Sequence, residues 1–373
     1  MDNKKIRAIG AGILVAVWLA LTGFSWFGPA KEISEAERRK LEQMPSLTME
    51  SLLDGKFMTK FEKYTLDQYP LRDTFRQLKA LFHYNALQQK DNNKIYIADG
   101  YAAQMEFPLN ETSIAHAAKR FNAFYEKYLK DTGSAIYMTI VPDKGHYLAE
   151  PNGYLSMDYS AMFRAFEEQL PWATHIDIAP LLSYDDYYRT DTHWRQEKLL
   201  DVAGKISQAM GVTAPVADDF SVVKVERPFY GVYYGQAALP MEAEDMYYLR
   251  SRLLDQCKVY QFETQSYTQV YDLTKLDGLD LYDIFLSGPR SLLTIENPNA
   301  KTDRELIIVR DSFGSSIAPL LVQDYAKVTL VDIRYINLNT LERYLEFNGQ
   351  DVLFLYSSLV LNNSETIQKS ICM

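Results

Sequence analysis

The sequence is poor in the residues that most often build metal sites. It has two cysteines, Cys257 and Cys372, and five histidines among its 373 residues. No Cys-x-x-Cys pair occurs and neither cysteine has the spacing of a metal ligand, so we predict no metal site and no cofactor. The two cysteines could form one disulfide, but the sequence does not decide whether they pair.

Positive charge is outnumbered by negative charge, since 39 lysines and arginines stand against 49 aspartates and glutamates and the formal net charge is −10. Such a chain repels nucleic acid unless it carries a concentrated basic patch, and no such patch is evident. Internal repeats and low-complexity tracts are also missing. With 47% hydrophobic and 24% charged residues, the composition is that of a globular chain with one large or two medium domains.

Tyrosine, by contrast, is abundant, with 27 copies. Its ring stacks on flat apolar faces while its hydroxyl forms hydrogen bonds, a combination that suits sugar binding. A core and turns rich in tyrosine explain the same abundance equally well, and composition leaves both interpretations open.

One long hydrophobic run stands near the N-terminus. Lys4, Lys5 and Arg7 precede residues 8–30, which carry no charge and are long enough to cross a bilayer as a helix. The basic side is predicted to stay cytoplasmic, so we expect a single-pass protein of the cell membrane with an extracytoplasmic remainder. A cleaved signal peptide is the alternative. A retained anchor is favoured because the run is long and no clear Ala-x-Ala site precedes Lys31.

The pattern along the chain predicts three parts. Residues 1–30 form the cytoplasmic tip and anchor, and residues 31–90 place apolar side chains at helical spacing in a membrane-proximal segment. In that segment "ISEAERRKLEQMP" resembles a short helix that ends at Pro45. Residues 91–373 read as one α/β domain. Within it, residues from about 212 to 300 alternate like exposed β structure and are predicted to be a β-rich insertion over one end of the sheet.

Apolar strands alternate with helices in the α/β part. "SAIYMTIVP", residues 134–142, is a continuous apolar run typical of a strand buried on both faces. One helix is predicted from a cap at Thr112 to Gly133, and another over residues 195–211. "ELIIVR", "AKVTLVDI" and "DVLFLYSS" are further buried strands. This alternation predicts a mostly parallel sheet covered by helices on both faces.

Ligands of open parallel sheets bind beyond the carboxyl ends of the strands. Three segments bring reactive residues to that edge: "VPDKGH" with Asp143, Lys144 and His146, "YYRTDTHW" with Asp191 and His193, and "IIVRDSFGSS" with Ser312. Ser312 lies at a strand-to-helix turn, where unpaired backbone N–H groups can stabilise an oxyanion. The simpler interpretation is that Asp311, Ser312 or Ser315 only caps the helix.

Asp191 and His193 are two residues apart and point the same way in an extended segment. The carboxylate can then orient the imidazole and leave its second nitrogen free as a base for a serine, in any chain order. A polar surface loop is the plain alternative. A metal pair is another, but it needs a third ligand, which Asp143 or His146 would supply only if the fold brought them close.

The order of the motifs resembles a known group. A single N-terminal membrane segment, "LLDGKFMTKFEKYTLDQYPLRD", "VPDK", "TDTHW" and "RDSFGSS" resemble the DHHW family, which is similar to the alginate O-acetylation proteins of the SGNH-hydrolase-like superfamily. The resemblance spans nearly the whole chain and implies a three-layer α/β/α domain. By motif position it makes Ser312 the nucleophile, His193 the base and Asp191 the orienting acid. Thr192 stands where the family name implies a second histidine.

The resemblance also implies a function. It implies a membrane-anchored O-acetyltransferase or acetylesterase that acts on a cell-surface polysaccharide, with a multi-pass membrane acyltransferase partner to deliver the acetyl group. The alternative is a non-catalytic polysaccharide-binding or assembly protein that keeps the fold. The glycine and asparagine blocks that supply oxyanion donors in relatives are not matched, and the Ser312 N–H is the expected donor. Further candidates for oxyanion or substrate contacts are Gly288, Arg290, Lys144, Arg334, Tyr335, Trp194, Tyr187, Tyr188 and the "FYGVYYG" loop. For Trp194, packing against the first turn of its helix is the favoured alternative, and a structural role is equally open for Arg334 and Tyr335.

Overall fold

A computed structural model describes residues 3–367 of the chain. Cys372, one half of the disulfide considered above, lies outside the described residues. The chain divides into two compact units. The first, called the N-terminal unit, holds the residues up to Asn93 together with Tyr234–Met241; the second, called the sheet unit, holds Lys94–Tyr233 and the residues from Glu242 onward.

The N-terminal unit begins with a long helix that is almost entirely exposed. Among residues 3–367 it is the one helix long and apolar enough to cross a membrane. The elements of this unit are α1 (Asn3–Phe27), β1 (Ile33–Ser34), β2 (Arg39–Lys40), α2 (Met49–Leu53), α3 (Lys56–Asp67) and α4 (Arg72–Asn85).

The predicted helix that ends at Pro45 is wrong. Its residues instead form the short antiparallel pair of β1 and β2, with Arg38 in the left-handed region at a φ of 52° between them. The Arg39 guanidinium donates to both oxygens of Asp67, at 2.8 and 2.6 Å. Arg39 thus finds its partner in α3, a contact that the spacing of residues within the segment does not reveal.

The remaining strands are β3 (Ile95–Ala98), β4 (Tyr101–Gln104), β5 (Ile136–Val141), β6 (Thr174–His175), β7 (Ser221–Lys224), β8 (Tyr247–Arg250), β9 (Lys258–Gln261), β10 (Ser266–Thr268), β11 (Leu292–Glu296), β12 (Glu305–Arg310), β13 (Lys327–Val331) and β14 (Asp351–Ser357). The remaining helices are α5 (Glu111–Phe124), α6 (Gly145–Leu148), α7 (Tyr159–Gln169), α8 (Leu200–Ala209), α9 (Val232–Ala237), α10 (Arg252–Gln256), α11 (Gly314–Ile317) and α12 (Ser358–Asn362).

The main sheet has eight strands in the order β10–β9–β11–β13–β12–β14–β5–β6. The five strands from β13 to β6 are parallel, with Ile307 of β12 paired to Val352 of β14. β9, β10 and β11 extend the sheet as antiparallel strands. The parallel strands β13, β12, β14 and β5 therefore end at one edge, and the segments after them meet there.

Both faces of the sheet are buried, as the apolar runs predicted. Leu306 and Ile308 of β12 pack into one core with residues of α8, while Ile307 and Val309 pack into the opposite core with residues of α5 and α7. Because side chains alternate along a strand, every position of such a strand must be apolar. The fold is the predicted three-layer α/β/α arrangement with a mostly parallel sheet.

Two predicted helix starts differ from the structure. Asn110, not Thr112, caps α5, and its side chain accepts the N–H of Ser113. The segment predicted as one helix from residue 195 is a 3₁₀ turn over Gln196–Lys198 followed by α8 from Leu200. Asparagine and threonine both suit a helix N-cap, and the sequence alone did not separate two candidates this close together.

The β-rich stretch near residues 212–300 supplies strands to two sheets. β7 and β8 pair with each other, whereas β9, β10 and β11 belong to the main sheet. The predicted boundaries of the chain's three parts, and those of the insertion, stay predictions.

Candidate active site

Ser312 lies in the turn between β12 and α11, at the carboxyl edge of the sheet. The preceding Asp311 is fully buried, and one of its carboxylate oxygens accepts the N–H of Phe313 at 3.0 Å. The other oxygen accepts both the N–H and the hydroxyl of Ser357, each at 2.7 Å. Asp311 thus joins the ends of β12 and β14 and fixes the turn, while the Ser312 side chain stays partly exposed.

The turn after Ser312 depends on a close approach at Gly314. A Cβ placed there would lie 2.8 Å from the Cβ of Arg310 and 3.0 Å from its Cγ. Arg310 is buried beneath this turn, and its Nη1 lies 3.3 Å from the Asp311 carbonyl oxygen and 3.7 Å from Asp332. Burial lowers the pKa of Arg310. Its Nε and Nη2 find no hydrogen-bond partner among the described residues.

Asp191, His193 and Ser312 form one chain of hydrogen bonds. His193 Nδ1 lies 2.6 Å from Asp191 Oδ1, and His193 Nε2 lies 2.8 Å from Ser312 Oγ. With its proton on Nδ1, facing the carboxylate, the ring can accept the serine O–H at Nε2. The structure therefore brings the three predicted residues together across 119 positions of sequence.

Asp191 and His193 are joined by a second hydrogen bond, and both are buried. Asp191 Oδ1 also accepts the backbone N–H of His193 at 3.0 Å, which closes a short turn within the motif. Asp191 is fully buried and His193 nearly so, at 8% exposure. The low exposure strengthens the interaction between carboxylate and imidazole relative to the same pair in water.

The loop "FYGVYYG" supports the acid of this chain. The N–H of Val232 donates to Asp191 Oδ2 at 2.8 Å, and the N–H of Gly231 donates to Thr190 Oγ1 at 2.8 Å. A Cβ at Gly231 would lie 2.3 Å from the Cα of Asp191, so this approach requires glycine. The loop was predicted as a sugar contact, but at these positions its backbone orients the Asp191 carboxylate.

Two buried charged side chains hold the backbone just before Asp191. Lys144 Nζ donates to the carbonyl oxygen of Tyr188 at 2.7 Å. The Glu244 carboxylate accepts the N–H of Arg189 and both the N–H and hydroxyl of Thr190, at 2.8, 2.8 and 2.7 Å. Burial lowers the pKa of Lys144 to about 7. The prediction that Lys144 contacts substrate is corrected, because its side chain is 2% exposed and its ammonium is used by the loop.

Tyr282 completes the surroundings of the imidazole. Its ring stacks on His193 with 3.9 Å between centroids and 9° between planes. The Tyr282 hydroxyl donates to Ser316 Oγ at 2.7 Å, and the indole N–H of Trp194 donates to the same oxygen at 2.8 Å. No motif pointed to Tyr282, which is far along the chain from His193.

The predicted sugar contacts of the aromatic residues before and after the Asp-x-His motif are corrected. Tyr187, Tyr188 and Trp194 are fully buried, with no exposed surface to offer a sugar. Trp194 packs edge-on against Phe313, and Tyr188 packs against Phe229. Their role in the structure is to fill the space behind the hydrogen-bonded chain.

The other candidates for oxyanion or substrate contacts make no hydrogen bond to Ser312 among the described residues. The N–H of Gly288 donates to the carbonyl of Phe285 in a turn, so it is not available as the predicted oxyanion donor. Arg290 pairs with Glu263 at 3.1 Å, and Arg334 pairs with both oxygens of Asp332, at 2.9 and 2.6 Å. Tyr335 is exposed. No hydrogen bond joins these four residues to the Asp191–His193–Ser312 chain within the part the structure describes.

The residues considered as extra metal ligands are engaged elsewhere. The Asp143 carboxylate accepts the hydroxyls of Tyr159 and Ser358, at 2.8 and 2.7 Å, and the N–H of Gly145 at 2.7 Å. His146 packs against the rings of Tyr147 and Tyr159. Within residues 3–367 no three His, Cys, Asp or Glu side chains are grouped so as to hold a metal ion.

A mostly parallel sheet covered on both faces, with a serine turn at its carboxyl edge, defines an α/β protein of the SGNH-hydrolase-like fold. Residues 182–331 match the model of the family described as DHHW protein. This stretch contains Asp191, His193 and Ser312, and the match confirms the resemblance that the motifs predicted. No curated protein matches the chain.

Solved structures resemble this fold. A DHHW family protein from Eubacterium siraeum has a TM-score of 0.60 and 20% identity, over 74% of this chain and 95% of its own. Bacillus cereus PatB1 has a TM-score of 0.59 and 17% identity, over 72% and 96%; it has also been solved with a sulfonyl adduct. The O-acetyltransferase domain of Pseudomonas putida AlgJ has a TM-score of 0.44 and 14% identity, over 72% and 92%.

Proposed function

We propose that this protein is a serine-dependent acyl-transfer enzyme, an O-acetyltransferase or acetylesterase. The observation that carries the proposal is the hydrogen-bonded chain from Asp191 through His193 to Ser312, at 2.6 and 2.8 Å. A serine hydroxyl is a weak nucleophile until a base accepts its proton, and a buried carboxylate keeps that base in the correct orientation. The choice of the acetyl group follows from the resemblance to the alginate O-acetylation proteins.

The first half of the reaction forms an acyl-enzyme. His193 Nε2 takes the proton of Ser312 as Oγ bonds to the acetyl carbonyl carbon, and the carbonyl oxygen gains the negative charge. The imidazolium, paired with Asp191, then gives the proton to the departing alcohol oxygen as its bond to carbon breaks. The acetyl group is left on Ser312.

The second half returns the enzyme to its starting state. His193 takes a proton from an acceptor hydroxyl, either on a sugar or in water, as that oxygen bonds to the acetyl carbon. The ester bond to Ser312 then breaks, and Ser312 regains the proton from His193. Transferase and esterase differ only in which acceptor reacts.

The backbone N–H of Ser312 is the proposed donor to the carbonyl oxygen. It has no acceptor among the described residues, and it lies where the chain turns from β12 into α11. A donor that is fixed before the reaction stabilises the developing charge without reorganisation.

We further propose that the reaction takes place outside the cell membrane on a cell-surface polysaccharide. α1 is long and apolar enough to act as an anchor, and the lysines and arginine before it favour a cytoplasmic N-terminus. Since acetyl-CoA is cytosolic, a transferase at that location needs an acetyl group delivered through the membrane. A multi-pass acyltransferase is the proposed partner.

The test uses the full chain in detergent. Acetate release from a chromogenic acetyl ester is compared for the wild type, Ser312→Ala and His193→Ala, with and without an oligosaccharide acceptor. A sulfonyl fluoride, chosen because PatB1 carries a sulfonyl adduct, should add its mass to Ser312 and not to the Ser312→Ala variant. Equal rates in all three proteins, with no adduct, would leave the non-catalytic polysaccharide-binding protein as the better description.

A further inference from the structure

The N-terminal unit has many large apolar side chains on its surface. Residues 44–87 expose more large apolar side chains than residues 94–367 together. A water-soluble surface scatters such side chains singly, whereas a cluster marks contact with a protein or a membrane.

α4 carries the clearest part of this surface. Phe75, Leu78 and Phe82 follow one another at intervals of three and four residues, which places them on one face of α4, and Leu71 directly precedes the helix as its N-cap residue. They are 66%, 44%, 56% and 58% exposed. We call these four residues the α4 stripe.

Two charged side chains of α4 point inward instead. Arg72 donates to Glu37 at 2.5 Å, and Arg76 lies 3.3 Å from the same carboxylate. Arg76 also donates to the carbonyl of Gly235, another residue of this unit, at 2.7 Å. A helix in water normally turns its apolar face to the core and its charges outward. In α4 the two arginines face the unit and the large apolar side chains face outward, beside the exposed Asp73 and Lys79, so its outer face suits the boundary between water and an apolar medium.

The N-terminal unit ties α4 to the end of α1. Gln68, four residues before α4, accepts the N–H of Lys31 at 2.8 Å and donates to its carbonyl at 2.9 Å. Ser25 donates to the carbonyl of Thr65, and the ring of Trp26 lies 5.6 Å from that of Phe61 in α3. One groove is lined both by α1 side chains from Val17 to Phe24 and by the residues from Tyr69 to Thr74.

These contacts set the depth of α4 if α1 crosses a bilayer. The span Lys4–Phe27 has 24 residues, and at a rise of about 1.5 Å per residue it just exceeds a hydrocarbon core of roughly 30 Å. Trp26 and Phe27 then lie at the water interface, where aromatic side chains are favoured. The start of α4 lies next to the last turns of α1, since both line one groove.

We propose that the α4 stripe inserts into the outer leaflet of the membrane that α1 crosses, so that α4 lies in the interface as an amphipathic helix. The inference rests on the proposed anchoring by α1. Lipid is favoured over a protein partner because Leu71, at the start of the stripe, lines the same groove as the apolar side chains of α1. The membrane would then hold the N-terminal unit at two places.

The test measures depth in the full chain, reconstituted into vesicles of phosphatidylcholine and phosphatidylglycerol. In a Cys372→Ser background, in which Cys257 is buried, a fluorescent nitrobenzoxadiazole group is attached at Leu78→Cys or Phe82→Cys. Leu19→Cys in α1 is the reference inside the membrane, and Glu168→Cys on the exposed side of α7 is the reference in water. Nitroxide-labelled lipids should quench the labels at 78 and 82 at least half as strongly as the label at 19, and leave the label at 168 bright.

Other outcomes overturn the inference in distinguishable ways. If the label at 19 is quenched and those at 78 and 82 are not, the anchor holds and the stripe does not insert. Cross-linking of Leu78→Cys between copies in the same vesicles would show that a second copy covers the stripe instead. If the label at 19 is not quenched, α1 does not lie in the membrane and the proposed anchoring is wrong. Acetate release by the same samples reports on the catalytic proposal independently.

Discussion

The Tyr282 ring lies flat against the His193 imidazole, with 3.9 Å between their centroids. The imidazole is held by Asp191 at Nδ1 and by the stacked ring on one face, so it can rotate little. A base fixed in this way does not have to be reoriented when Ser312 reacts. In the proposed mechanism the stack therefore helps to position the base, although Tyr282 makes no hydrogen bond to Asp191, His193 or Ser312.

We predict that Tyr282→Phe retains most of the acetate-release activity, because the stack remains and only the hydrogen bond to Ser316 is lost. Tyr282→Leu removes the flat ring, and its kcat should fall by about tenfold or more, the scale expected when a catalytic group loses its alignment. Equal kcat values for the phenylalanine and leucine variants would show that the stack has no part in positioning His193.

Gly231→Ala should lower activity without unfolding the protein. The added Cβ would lie 2.3 Å from the Asp191 Cα, so the loop and the N–H of Val232 must move away from the carboxylate. A shift of about 1 Å can cost about 100-fold in kcat. Gly204→Ala in α8 is the matched control, since its nearest neighbour lies at 3.9 Å. A Gly231→Ala variant as active as that control would contradict the proposed support.

Asp191→Asn should lower kcat far more than the small change in side-chain size suggests. The amide can offer an N–H to His193 Nδ1 and favour the wrong tautomer, which leaves Nε2 protonated and unable to accept the Ser312 proton. In the serine-protease triad the same change lowers kcat by about 10⁴-fold, and we expect a loss of similar order here. Asp201→Asn on the exposed first turn of α8 is the control, with wild-type rates expected.

Lys144 should make stability depend on pH. Burial lowers its pKa to about 7 from the ordinary 10.5. Between about pH 7 and 10.5 the unfolded chain binds a proton that the folded chain has lost, so this group makes the free energy of unfolding rise with pH. Below pH 7 both states are protonated and the contribution stays at its lowest value.

Urea unfolding of the full chain at pH 7 and pH 9 tests this effect. Lys144→Met should lack the increase with pH that the wild type gains from this residue, whereas Lys301→Met, at an exposed position, should keep it. The Lys144→Met variant should also lose activity at both pH values, because the Tyr188 carbonyl loses its hydrogen-bond donor. Curves for the two variants that stay parallel from pH 7 to 9 would contradict the assignment.

Local patterns predicted the sheet well because its strands are buried on both faces. The middle positions of β12 and β14 are all apolar, and β5 is interrupted by a single threonine, as strands covered on both faces require. The Asp-x-His pair could also be predicted, since Asp191 bonds both the N–H and the ring of His193. The predicted helix before Pro45 failed because Arg39 pairs with a residue 28 positions away.

The sequence by itself determined the α/β layering, the long apolar helix at the N-terminus and the residue types at the carboxyl edge. Tertiary structure alone decided which of those edge residues meet. It placed Ser312 against His193 and buried the side chains of Lys144, Tyr188 and Trp194. It also brought the Tyr282 ring onto His193 and the Val232 N–H onto Asp191. These contacts join segments far apart in the chain, and only the packed sheet fixes their distances, because no local spacing encodes them.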